Sequence, residues 1–75
     1  MENTELLQMQ KAYKAALDEW MKAIKAEEDL VSVDPTLAQV DLWENAHFTE
    51  EEARNKTKAA KKDYEDALRE KFFHF

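Results

Sequence analysis

The chain contains no cysteine, no glycine and a single proline, and its apolar runs are only a few residues long. Without cysteine there is no disulfide framework, no thiolate zinc site and no cysteine nucleophile. Without glycine the glycine-rich phosphate loops and dinucleotide fingerprints are excluded, because their turns need positive φ and close backbone approach. The apolar runs are far too short for a membrane span, and no signal-peptide pattern opens the chain. Neither membrane contact nor export is therefore expected, and the cytoplasm is the expected compartment. Length adds a further constraint. A chain of 75 residues buries only ~60% of the surface its unfolded form exposes. Chains this small usually need a disulfide, a metal or a partner subunit to stand.

What is present favours helix. Eleven alanines, with many Lys, Glu and Leu, sum to a strong helical preference, and no useful segment alternates with the two-residue period of a strand. The first helix is expected over about 4–31, with Asn3 or Thr4 as its cap. Leu6, Met9, Tyr13, Leu17, Trp20, Ile24 and Val31 recur at spacings of three and four. Ala16, Ala23 and Leu30 broaden that stripe into a globular pattern rather than a strict coiled-coil one. Tyr13 and Trp20 are expected in the core. Gln10 and Glu27 interrupt the seam and are expected to face water.

Asp34-Pro35 marks the first break, with Asp34 as N-cap and Pro35 at the first helical position. Val33 is a candidate staple onto Ala38. A second helix of about 35–47 would carry Leu37, Val40, Leu42, Trp43 and Ala46 around more than one face, as if buried on two sides. Thr49-Glu50-Glu51-Glu52 matches a capping box, so a third helix is expected over about 50–73. A helix running through without this break is the alternative. The expected fold is all-α: one helical domain over 1–75, with a turn at 32–35. It is either an antiparallel helical hairpin or a small three-helix bundle (long, short, long). Ala53, Thr57 and Ala60 make a thin stripe on the last helix, thickening only at Tyr64, Ala67, Leu68 and Phe72. So thin a core predicts completion of a helical bundle by homodimerisation.

Charge is unevenly distributed. The net charge is −6, and between Lys25 and Arg54 there are nine acids and no base. Glu27, Glu28, Asp29, Asp34, Asp41 and Glu44 form the candidate acidic patch. The first three lie near a helix C-terminus, where the dipole disfavours them. Arg54, Lys56, Lys58, Lys61 and Lys62 form a basic stretch, but no aromatic residue interleaves it to stack on bases, so nucleic acid is not an expected partner. Its expected use is to receive the acidic patch of a second copy.

The aromatic residues point to assembly. Leu42, Trp43, Phe48, Phe72, Phe73 and Phe75 are the candidate partner-binding residues, since a phenylalanine-rich terminus aggregates unless covered. Docking of this tail is expected, beside Leu6, Leu7, Met9 and Met21 or on the same region of a second chain.

Candidate chemistry is sparse. Ser32 is the only serine, no histidine lies near it in sequence, and two histidines without thiols do not make a hydrolytic zinc site. No enzyme activity and no cofactor are expected. Asn55-Lys56-Thr57 fits the glycosylation triplet but falls in a helical setting. Glu44-Asn45-Ala46-His47 is a Glu-x-x-His on a helix, and it resembles the motif of ferritin-like carboxylate proteins. There, two such motifs and two further glutamates hold a metal pair. The resemblance implies a metal site across a symmetric dimer, using Glu44, His47 and either Glu27 or Glu28. A turn centred near residue 33 would place Glu44 level with Ala23 and Ile24, roughly one turn from Glu27. A tryptophan-bearing hairpin is also similar to the small secreted helical-hairpin proteins with a Trp-x-Gly turn. Here Trp43-Glu44-Asn45 lacks the glycine, and the turn falls at Asp34-Pro35.

Overall fold

The computed structural model describes residues 3–31 and 34–73. Two helices account for nearly all of them: α1, Asn3–Asp29, and α2, Leu37–Phe73. They pack as an antiparallel hairpin 55 × 18 × 15 Å in extent. The long dimension matches the ~55 Å that 37 residues span at 1.5 Å per residue. Val33 lies outside the described residues, as do Ser32, His74 and Phe75.

The ends of the helices follow from local chemistry. Near the end of α1, Leu30 N–H donates to the Glu27 carbonyl at 3.2 Å and Val31 N–H to the Glu28 carbonyl at 3.1 Å. These three-residue bonds tighten the last turn and satisfy carbonyls that a glycine cap would otherwise serve. The helix thus stops two residues short of the expected boundary. α2 begins after Thr36, not at Pro35. Gln39 N–H donates to Thr36 Oγ1 at 3.2 Å, and Thr36 N–H donates to Gln39 Oε1 at 3.3 Å. The Thr36 carbonyl accepts the first full helical bond, from Val40 N–H at 3.0 Å. This is a reciprocal capping box, and it displaces Asp34 from the capping role. Thr36→Ala is expected to cost ~1 kcal/mol, whereas Asp34→Ala is expected to change stability by no more than ~0.5 kcal/mol. Urea unfolding of both variants checks this pair.

The expected break at Phe48-Thr49 is absent, and with it the separate short helix. α2 runs through this point as one 37-residue helix. Thr49 does not cap; its hydroxyl donates back to the Asn45 carbonyl at 3.1 Å. No proline or glycine lies between residues 36 and 73, so nothing in the backbone interrupts the bonding pattern.

The helices meet along small side chains. Among the described residues, Ala23 and Ala67 are the buried apolar ones and Thr57 the buried polar one. The Thr57 hydroxyl bridges the interface, lying 3.0 Å from the Ala16 carbonyl and 2.8 Å from its own-helix Ala53 carbonyl. Thr57→Val keeps the shape and removes the bridge, so a loss of ~1 kcal/mol is expected in thermal unfolding. Tyr13 and Tyr64 pack with ring centroids 6.2 Å apart, tilted by 42°, and help close the far end. Tyr13 and Trp20 are only half-buried, because two helices cannot enclose a large side chain.

Register explains the rest. Ala16 faces Thr57, Tyr13 faces Tyr64, and Glu27 faces His47. Asp29 is therefore level with about residue 45, and the first two turns of α2 project ~12 Å beyond α1. Among the described residues, Leu30, Val31 and Pro35 of the connection line a notch against them. The expectation that this segment is buried on two sides is thus overturned: Leu37 is 80% exposed, and Val40 and Leu42 are exposed too.

Candidate functional site

Two features stand out: a polar cluster where α1 ends against α2, and an extensive exposed apolar surface. The cluster joins Glu27 from α1 with His47 and Glu50 from α2. One ligand-competent atom from each lies within 4.8 Å of the others. His47 and Glu50 are three apart, hence on one face of α2. Glu27 arrives opposite them because α2 starts about two turns beyond the end of α1, which shifts the register by more than a turn from a tight hairpin. Glu27 is consequently half-buried, with its side chain 22% exposed, rather than facing water. Gln10, the other seam interruption, is half-buried as well.

His47 Nδ1 lies 3.6 Å from Glu27 Oε1. That is too long for a hydrogen bond, though close enough for attraction when the imidazole is protonated. Glu50 Oε2 lies 3.5 Å from Arg54 Nε. His47 Nδ1 and Glu50 Oε2 are both buried without a hydrogen-bond partner, as is Trp20 Nε1. The imidazole is held flat against the Trp43 indole, with centroids 5.4 Å apart and planes 6° from parallel. Beside the cluster, Ile24, Glu27, Glu28, Val31 and Glu50 line an open groove.

The structure brings together Glu27 and His47 of the expected metal set but not Glu44, which is exposed and outside the cluster. Glu50 takes its place. The usable reading on α2 is thus His-x-x-Glu, running forward from His47. That pattern was visible in the sequence, but only the register shows that it meets Glu27.

The remaining acids of the patch, Glu28, Asp29, Asp34 and Asp41, are exposed. Asp29 pairs with Lys25 at 3.0 Å, and the Asp29 hydrogen bond holds the Lys25 ammonium above its ordinary value. On α2 the basic stretch is largely answered by its own helix. Lys61 pairs with Glu65, Lys62 with Asp66, and Arg69 with both acids. The Lys62–Asp66 bond of 2.7 Å raises the lysine and lowers the carboxyl. Such exposed pairs contribute little to stability.

The apolar surface includes five of the six expected partner residues; Phe75 lies outside the described residues. Leu42 and Phe48 are exposed, and so is Trp43 at 37%. Phe72 and Phe73 are 62% and 66% exposed. Lys71 Nζ sits 5.5 Å from the Phe72 ring centroid. Leu30, Val31, Pro35, Gln39, Val40 and Trp43 line an open, mainly apolar notch of about 350 Å³ under the connection. No helix among the described residues is long and apolar enough to cross a membrane. No protein-family model matches this chain, and no curated protein or solved structure is significantly similar to it.

Proposed function

We propose that this protein is a non-enzymatic assembly module that works as a homodimer, two hairpins lying flank to flank in a four-helix bundle. One observation carries the reading: surplus surface. A compact monomer of 8.8 kDa exposes about 4,800 Å². This chain exposes 5952 Å², about 1,200 Å² more. Its radius of gyration is 17.0 Å, against about 11 Å for a compact fold of this length. Among the described residues no large side chain is fully buried, while eleven large apolar ones are exposed.

The surplus from two copies is about 2,400 Å², the scale of an obligate dimer interface. A 55 by 18 Å face is large enough for the ~800 Å² per partner that a standard interface needs. Charge favours an antiparallel pairing. A parallel pairing would set the two acidic connection ends side by side, whereas an antiparallel one separates them by the length of the hairpin. Sedimentation equilibrium at micromolar concentration tests the proposal. A mass twice that of the chain is the expected result; a helical, cooperatively melting monomer overturns it.

A further inference from the structure

We propose that Glu27, His47 and Glu50 form a binding site for a divalent first-row transition ion of the zinc, manganese or iron(II) class. The site goes beyond the assembly reading and does not need it, because all three protein ligands come from one chain.

Three observations converge on this cluster. The donor atoms lie within 4.8 Å of one another. Around a cation bonded at ~2.0–2.2 Å, donors sit roughly 3–3.5 Å apart, so small rotations of the two glutamates close the set. Next, His47 Nδ1 and Glu50 Oε2 are shielded from solvent with no hydrogen-bond partner. A buried acceptor left unmade is costly, and a cation would satisfy both atoms together. Finally, the stacked Trp43 ring limits rotation of the imidazole, as the orienting groups around metal-bound histidines do.

Ligand chemistry sets the class of ion. One imidazole with two carboxylates suits borderline ions, whereas magnesium and calcium prefer all-oxygen sets. The groove lined by Ile24, Glu28 and Val31 gives an entry path and room for water as a further ligand. Arg54 is the competitor for Glu50. Its contact at 3.5 Å lacks hydrogen-bond geometry, and its side chain is about one-third exposed, so it can swing into solvent as the ion enters.

The test is calorimetric titration of chelator-treated protein with Zn²⁺ near neutral pH, with Mg²⁺ as the control. One Zn²⁺ per chain is expected, with no matching Mg²⁺ response. His47→Gln and Glu50→Gln should each weaken binding by more than the ~10–100-fold that loss of an outer-shell partner causes. Glu44→Gln should leave it unchanged. Circular dichroism of each variant confirms that helicity is kept. A second readout is fluorescence in a Trp20→Phe background, where Trp43 is the sole indole and bound Co²⁺ should quench it saturably. Absence of saturable Zn²⁺ binding overturns the proposal, as does binding that survives His47→Gln. Either result leaves the dimer untouched, so the two readings fail separately.

Discussion

Glutamate at Ile24 or Met21 is expected to split the dimer into monomers. Leu17, Met21 and Ile24 recur at spacings of four and three and so share one flank of α1. Met21 and Ile24 are exposed on the single hairpin. On a monomer, such surface substitutions change stability by no more than ~0.5 kcal/mol. At a buried flank the result differs in kind. The interface loses the ~1.5–3 kcal/mol of burying a large apolar side chain, and a carboxylate must shed water without a partner. A rise in dimer dissociation constant of at least ~100-fold follows, since each tenfold step is ~1.4 kcal/mol. The melting temperature of the parent should rise with protein concentration, and that dependence should weaken in the variants. Ala15→Glu, an exposed site on the opposite side of α1, is the control and should leave the mass doubled. An unchanged mass in Ile24→Glu, or equal disruption by Ala15→Glu, would remove this flank from the interface.

Proline at Glu51 is expected to cost ~3 kcal/mol or more. Glu51 is exposed, so the substitution reads the backbone alone. In a continuous α2 its N–H bonds to the carbonyl four residues back, and a proline ring both removes that bond and collides with the carbonyl. Had a helix begun after Thr49, the same position would fall in a first turn, where proline is tolerated. A loss below ~1 kcal/mol in denaturant unfolding would restore the two-helix reading of residues 35–73. The large loss is expected because the Thr49 hydroxyl is already committed to the Asn45 carbonyl.

Two identical-looking signals met opposite fates in this chain. Thr36-x-x-Gln39 and Thr49-x-x-Glu52 both fit a capping box. The first forms because Pro35, just upstream, has no N–H and disfavours helical backbone at Asp34, so the helix must start afresh. The second does not, because no proline or glycine from 37 to 48 interrupts the helix already running. A capping pattern therefore marks a start only where the preceding chain cannot be helical. The first box was open to view in the sequence, and Asp34-Pro35 obscured it.

Composition and periodicity were enough to determine an all-helical fold with no covalent crosslink, but they left a two-helix hairpin and a three-helix bundle both open. Ala53, Thr57 and Ala60 likewise announced a core too thin to hide Trp43 or the Phe72-Phe73 pair. These are local properties, set by residue type and spacing. Which polar residues meet was decided only in three dimensions. The pairing of Glu27 with His47 and Glu50, and the projection of residues 37–44 past α1, both depend on where along α1 the chain starts its second helix. A tight turn would bring Ala23 and Ile24 level with Glu44. The offset start of α2 moves every opposed pair by over a turn, a non-local quantity that no helical period records.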